Sequence, residues 1–256
     1  MLDGLARLRE AGVAVEAGLC EAEARTLNKG FLTRLADGRP MVTLKAATSL
    51  DGRIAMADGE SRWITGPEAR EAGHLLRARH DAIMIGLGTA LADKPSLTCR
   101  LPGLADRSPI RIVADSRGRL PMDNPLVTSA GDVPTWLLAS RGMDMGRELR
   151  FRDAGVEVIL VDPDEDGRPD PQAMLQALGS QGLTRLLVEG GGRLSARLLG
   201  AGLVDGLEWF RAGVILGAEA KAAVGDLGPG RLAERPRFTG EGLRAVGSDS
   251  QESFSP

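Results

Sequence analysis

The sequence predicts an α/β protein built on a largely parallel sheet. Short apolar runs recur from residue 41 onward, as in Ala82-Ile83-Met84-Ile85 and Leu186-Leu187-Val188. Segments with apolar residues at helical spacing separate those runs. Glycines stand where two of the runs pass into the next helix, at Gly86-Leu87-Gly88 and at Glu189-Gly190-Gly191-Gly192. Strands covered on both faces read as continuous apolar runs, and their alternation with helices calls for parallel crossovers.

Residues 1–38 read as an appendage, with helical spacing over Gly4 to Ala11, a short strand at Val13-Ala14-Val15 and a second helix from Glu21 to Leu35. Strands are then expected at 41–48, 81–86, 110–115, 134–139, 156–161, 184–188 and 204–211. Helices are expected at 67–79, 88–92, 144–154, 171–181 and 193–201. Thr65-Gly66-Pro67-Glu68 reads as a capping box with proline in the first turn, and Asp170-Pro171 is a similar start signal. The Pro-, Gly- and Asp-rich stretches 116–133 and 162–170 read as surface loops. Trp209-Phe210-Arg211 through Leu216-Gly217 is expected to add an antiparallel edge. The main domain is expected over 39–247, with 248–256 frayed.

A chain of 256 residues can bury a sizeable core. Its net charge is −3 with both signs interspersed, which argues against general binding to nucleic acid or to a membrane surface. Cys20 and Cys99 are the only cysteines, and His74 and His80 the only histidines. They assemble neither a zinc set nor a disulfide framework, so no metal is expected. The first residues lack a basic region followed by an apolar core, and no apolar run approaches the ~20 residues needed to span a bilayer. A cytoplasmic location is the resulting expectation. There is no phosphate loop ending in Gly-Lys-Ser/Thr and no Ser-His-Asp set.

The stretch Val42-Thr43-Leu44-Lys45-Ala46-Ala47-Thr48-Ser49-Leu50-Asp51-Gly52 reads as a buried strand that carries one lysine inward and then breaks at an Asp-Gly turn. Such a lysine costs desolvation unless an anionic group meets it; the alternative is a strand-edge lysine snorkelling to water. At Glu189-Gly190-Gly191-Gly192-Arg193-Leu194-Ser195, backbone amides at a strand-to-helix turn could approach a phosphate, although a tight βα turn uses glycine anyway. Thr89 could cap the helix after Gly88 and bond a phosphate or ribose, and Asp93 could hold a sugar hydroxyl; a plain cap and a helix-ending Asp are the alternatives. Trp63 could equally be core packing. Arg77 and Arg100 suit bidentate grip of a phosphate or ring carbonyl, or are solvated surface charges. His74 and His80, six apart, do not share a helix face, and both read as structural or exposed.

Together the Lys45 stretch, Gly59-Glu60-Ser61-Arg62-Trp63-Ile64-Thr65, Ile85-Gly86-Leu87-Gly88-Thr89-Ala90-Leu91-Ala92-Asp93 and Val188-Glu189-Gly190-Gly191-Gly192 resemble, in order over about residues 40–225, the reductase domain of the bifunctional riboflavin-biosynthesis deaminase/reductase. The resemblance implies a three-layer, dihydrofolate-reductase-like α/β fold with a largely parallel mixed sheet. It makes residues 1–38 a remnant of the deaminase domain, whose His-x-Glu and Pro-Cys-x-x-Cys signature is absent, so deaminase activity is not carried over. It implies reduction of the ribose C1′ of 5-amino-6-(5-phosphoribosylamino)uracil by NADPH, in a homodimer. NADPH would meet Ala47, Trp63, Thr89, Asp93, Ser116, Gly191, Gly192, Arg193, Leu194, Ser195, Ala196 and Arg197. The phosphorylated ribosylaminopyrimidine substrate would meet Ser61, Arg77, Leu97, Arg100 and Glu189.

Lys45 is the candidate to protonate or polarise the reacting centre, Glu189 to hold sugar hydroxyls or relay a proton, and Asp51 is a third catalytic candidate. Arg117 or Arg119 could neutralise a ribose 2′-phosphate. Three other readings stand beside this one. A sister reductase would take the undeaminated diaminopyrimidine, a dihydrofolate-reductase-like enzyme would take a pterin or folate, and a nucleotide-binding subunit would not catalyse. The Arg77/Arg100 pair favours a phosphorylated substrate over a pterin, and the intact Lys45, Glu189 and glycine turns weigh against the last.

Overall fold

The computed structural model describes residues 2–256. Helices α1 (Leu2–Glu10), α2 (Glu21–Leu27) and α3 (Lys29–Asp37) precede β1 (Met41–Thr48) and the short β2 (Arg53–Ala55). Then come α4 (Pro67–Ala78), β3 (Ala82–Gly86), α5 (Leu87–Asp93), β4 (Ile110–Ala114), α6 (Pro125–Thr128), β5 (Thr135–Ser140) and α7 (Met145–Asp153). They are followed by β6 (Glu157–Val161), α8 (Pro171–Ser180), β7 (Arg185–Glu189), α9 (Gly192–Gly200) and β8 (Gly206–Arg211), and finally by β9 (Lys221–Ala222), β10 (Thr239–Val246) and β11 (Asp249–Ser255). Among the described residues no helix is long and apolar enough to cross a membrane.

Nine strands form one sheet in the order β10-β11-β8-β1-β7-β3-β4-β5-β6. From β8 to β6 every neighbouring pair is parallel, and the β10–β11 hairpin adds an antiparallel edge on β8. The alternation of side chains along a strand makes the three layers. Val42, Leu44, Ala82, Met84, Leu186 and Val188 pack with α8 and α9 on one face. Ile83, Ile85, Val113, Leu137 and Leu187 pack with α5, α6 and α7 on the other. Side chains this fully withdrawn from water contribute roughly 1.5–3 kcal/mol each. The odd-numbered positions of β1 face this second side, so Lys45 points under α4. The expected three-layer, largely parallel α/β sheet is therefore the observed one.

The expected start of α8 is present: Asp170 is its N-cap, accepts from Ala173 N at 2.8 Å, and Pro171 opens the helix. Other expectations are corrected. Val13 to Val15 form no strand, and the helix expected from Glu21 to Leu35 breaks at Asn28, which serves as C-cap of α2 and N-cap of α3. Thr65 does not cap α4; Gly66 is the N-cap, and its N–H is taken by Asp249 at 2.6 Å. The antiparallel edge expected over Trp209 to Gly217 is instead the interior strand β8, parallel to β1 and ending at Arg211. The tail expected to fray is β11, seated between β8 and β10. Its apolar content is low, but Asp249 and Gln251 are buried and satisfied: Gln251 donates to Glu208 of β8 at 2.6 Å.

Helix α3 is tied to the main sheet domain. Lys29 Nζ donates to Asp205 O at 3.0 Å and Arg34 Nε to Gly179 O at 2.8 Å. Just beyond the helix, Arg39 grips Asp205 with two nitrogens at 2.6 and 2.9 Å.

Candidate active site

The parallel register sets Lys45 of β1 beside Glu189, the last residue of β7. Lys45 Nζ lies 3.8 Å from Glu189 Oε2 and 5.6 Å from the centre of the Phe210 ring. Arg77 comes down from α4 and holds the same carboxylate bidentately, Nε to Oε1 and Nη2 to Oε2, both at 2.8 Å. Its Nη1 donates to Thr98 O at 3.1 Å, so all three guanidinium nitrogens are engaged. At Gly73, one turn earlier on α4, a Cβ would stand 3.8 Å from Lys45 Nζ, so the helix backs directly onto the lysine.

Burial alone would raise the Glu189 carboxyl, but Lys45 and Arg77 outweigh it and hold it down at about 2. Glu189 is therefore ionised at any working pH. In that charged form it can accept hydrogen bonds.

His74 belongs to this cluster, contrary to its expected structural or exposed role. Its Nδ1 is 3.1 Å from Thr98 O, and its Nε2 is 3.4 Å from both Nε and Nη2 of Arg100. The available signal was the spacing: His74 and Arg77 are three apart on one helix and so share a face. His80 fits the structural reading, with one ring nitrogen 2.7 Å from Leu76 O and the other 3.0 Å from Thr43 Oγ1.

Asp51 is held away from this group. It accepts from Ser49 Oγ at 2.6 Å, Leu216 N at 3.1 Å and Gly217 N at 2.8 Å. The Ser49 hydroxyl, chiefly, and the Leu216 amide hold its pKa at about 2. Its carboxylate thus pins the turn after β1 to the segment beyond β8. Leu97 is 2% exposed and packs in the core, with φ 57°, so its side chain offers nothing to a substrate. Arg100 is exposed beside His74.

The glycine turn after β7 lies next to Lys45 and Glu189. Gly190 and Gly191 have φ of 87° and 83°, a region that penalises side chains, and a Cβ on Gly191 would stand 3.1 Å from Thr89 Oγ1. Gly191 is the N-cap of α9, whose first amides are free to receive an anion. Gly192 is filled from behind, since its Cβ would meet Ala222 O at 2.9 Å. Leu194, Ser195 and Ala196 are buried, and Arg197 is committed to Asp164 at 2.5 Å and Pro169 O at 2.8 Å. The side chains of these four are buried or already paired, whereas Arg193 is exposed. Thr89 faces the turn from within α5, whose N-cap is Gly86, so it is not a cap.

Two clefts collect other candidate residues. One of about 560 Å³ is lined by Ser61, Arg62, Asp93 and Lys94, and beside it Arg62 donates to Asp93 O at 2.9 Å. Trp63 is 67% exposed, which excludes core packing, and the Arg70 guanidinium lies 4.3 Å from its ring centre. The other, of about 380 Å³, lies beyond the carboxyl ends of β4 and β5 and is lined by Ser116 and by Arg117, Arg119, Arg141 and Arg147. Ala47, half-buried near the end of β1, lies in register with Phe210. Ala47, Glu189 with its glycine turn and Ser116 thus lie at or just beyond the carboxyl ends of β1, β7 and β4, where open α/β sheets bind ligands.

This fold and this charge arrangement define an oxidoreductase of the dihydrofolate-reductase-like class. A sequence model of the RibD C-terminal domain matches residues 40–251, and the chain belongs to that family. The riboflavin biosynthesis protein RibD of Escherichia coli K12 is 40% identical over 257 residues, covering 96% of this chain and 68% of the relative. The structure of Acinetobacter baumannii RibD superposes with a TM-score of 0.85 at 32% identity, over 99% of this chain and 68% of that one. A Thermotoga maritima structure described as a diaminohydroxyphosphoribosylaminopyrimidine deaminase/5-amino-6-(5-phosphoribosylamino)uracil reductase matches with a TM-score of 0.82 at 27% identity, over 99% of this chain and 67% of that one. The chain spans about two thirds of the length of each.

Proposed function

We propose that this chain reduces C1′ of the phosphoribosyl group of 5-amino-6-(5-phosphoribosylamino)uracil with NADPH, forming the ribitylamino compound of riboflavin biosynthesis. The observation that carries the reading is the Arg77–Glu189–Lys45 cluster set beside an open glycine turn at the carboxyl ends of adjacent parallel strands. Membership of the RibD C-terminal domain family and the wording attached to the T. maritima relative support it.

Bound NADPH would supply a hydride to C1′ of the ring-opened sugar. Lys45 supplies the proton that must reach the imine nitrogen as C1′ gains the hydride, and takes one back from water afterwards. Its ammonium is held by Glu189 and faces the Phe210 ring, so its direction is set before substrate arrives. Glu189, permanently ionised, accepts from sugar hydroxyls. Arg77 fixes that carboxylate.

The residues fit a dinucleotide. Gly191 and the first amides of α9 suit the pyrophosphate, with Thr89 alongside. From β7 to β5 is three strand spacings, roughly 14 Å, which lays the far end of the cofactor in the four-arginine cleft. The one acid lining that cleft, Asp144, is occupied in capping α7. A 2′-phosphate is the group such a cleft selects, which favours NADPH over NADH. The homodimer implied by the resemblance would place the exposed edge strand β10 where two sheets can join.

The test is NADPH oxidation with the deaminated and undeaminated phosphoribosyl pyrimidines side by side, each with and without its 5′-phosphate. Turnover of the deaminated phosphorylated compound alone supports the proposal. Preference for the undeaminated one assigns the sister reaction, and indifference to the phosphate removes the role given to Arg100.

A further inference from the structure

We infer that His74 is a proton-linked contact for the substrate's phosphate: it takes up a proton as a phosphomonoester settles against it and Arg100. The inference rests on the phosphorylated-substrate reading above and adds a residue and a pH dependence to it.

The shortest polar contact of the ring, to Thr98 O, sets the resting tautomer. A ring nitrogen facing a carbonyl must carry hydrogen, so Nδ1 donates to Thr98 O at 3.1 Å. The Arg100 amide, 3.3 Å from the same nitrogen, then has no lone pair to use there. With the neutral ring's one hydrogen on Nδ1, Nε2 is the lone pair, and it faces the Arg100 guanidinium at 3.4 Å. The ring is thereby neutral, with its one unprotonated atom aimed at the side chain that would grip an anion.

The surrounding charges say why it stays neutral and what would change that. Arg77 faces it from its own helix, Arg100 from the loop before β4, and Glu189 from β7; Lys45 of β1 reaches the cluster through Glu189. Glu189 pairs with two of these cations, Lys45 and Arg77, and Arg100 has no carboxylate partner among the described residues. Burial, then Arg77 and Arg100, push the imidazole below its ordinary value, against the weaker pull of Glu189. An anion placed on Arg100 reverses the local field, and Nε2 can then accept a proton and donate it to a phosphate oxygen. No redox step or covalent step is involved, only proton uptake from solvent. With Nδ1 still bonded to Thr98 O, the charged ring has a partner at each nitrogen.

Only two histidines are present, so the imidazole resonances of the whole chain can be followed by NMR, with the buried His80 as an internal control. Titration of the intact protein should place His74 below its ordinary value of about 6.5. Saturation with inorganic phosphate, or with ribose 5-phosphate, should raise it by about one unit or more while His80 stays put. One unit corresponds to a tenfold linkage between proton and ligand at full effect. In turnover, His74→Gln should raise substrate KM relative to wild type near pH 6, change kcat less, and converge with wild type at pH 8. The substrate phosphate's own ionisation near about pH 6 affects both proteins and cancels in the ratio.

An unmoved His74 resonance on saturation overturns the inference, as does a KM ratio independent of pH. A His74 shift with ribose 5-phosphate but no turnover of either pyrimidine overturns the proposed function and leaves the phosphate contact standing. Turnover with an unmoved His74 does the reverse.

Discussion

Replacing Glu189 by glutamine removes the one anion that Lys45 and Arg77 share, and keeps the side chain's size. The carboxyl is held at about 2 against an ordinary 4.5, a drop of about 2.5. At 1.36 kcal/mol for each unit, the folded protein favours its charged form by roughly 3 kcal/mol, the pull of the two cations net of burial. That agrees with the about 3–5 kcal/mol lost when one partner of a buried ion pair is deleted. For a chain near this size it is a fall in Tm of roughly 6–12 °C. The sign of the pH dependence follows from the depressed value. The stabilisation is complete above the unfolded pKa near 4.5 and is lost as pH falls toward 2, because the unfolded state binds the proton first. Urea unfolding of wild type and Glu189→Gln at pH 7 and at pH 3 should therefore show a gap that narrows by about half at the lower pH. Asp51 also titrates low, but it is present in both proteins and cancels. A gap of the same size at both pH values would mean that glutamine fails through packing, and the electrostatic account of the cluster would be wrong.

Lys45→Met should lower kcat by about 100-fold or more, the scale of losing one preorganised charge at a reacting centre, with NADPH affinity changed far less; equal losses by stopped-flow turnover and fluorescence titration would make Lys45 a cofactor-positioning group. Arg117→Ser combined with Arg119→Ser should cut the preference for NADPH over NADH by about tenfold, each lost charge-assisted bond being worth about 1.5–3 kcal/mol before solvent screening reduces it; an unchanged ratio of the two kcat/KM values would place the 2′-phosphate elsewhere. Asp249→Ala removes the carboxylate that takes the Gly66 amide at the start of α4, and should cost about 1 kcal/mol by thermal unfolding. Because α4 carries His74 and Arg77, substrate KM should rise in the same variant, and a stability loss without a KM change would separate the cap from the site.

Strands β1 and β3 to β7 were legible because each is covered on both faces and so appears as a largely apolar run, whereas β2, outside the main sheet, was not. Lys45 stood out for the same reason, as the single charge in such a run. The start of α8 was legible because its cap, Asp170, is adjacent in sequence. The start of α4 was misread at Thr65 because its amide is taken by Asp249, from the far end of the chain. The same distance hid β11: a polar segment gains order only from β8 and β10 on either side and from Glu208 beneath Gln251.

Within the site, motif spacing indicated Arg77, Thr89, Glu189 and Gly191, which the fold gathers around the carboxyl end of the central strand β7. It could not show that Leu97, Leu194, Ser195 and Ala196 turn into the core, or that Asp51 is used up on Leu216 and Gly217. What the sequence by itself determined was the identity and order of the buried elements, since period and local caps are short-range properties. Only the tertiary structure decided which charges meet. Lys45, Arg77, His74, Arg100 and Glu189 come from three elements and a loop, and the pairing of β1 with β7 under α4 brings them within hydrogen-bond and ion-pair distance.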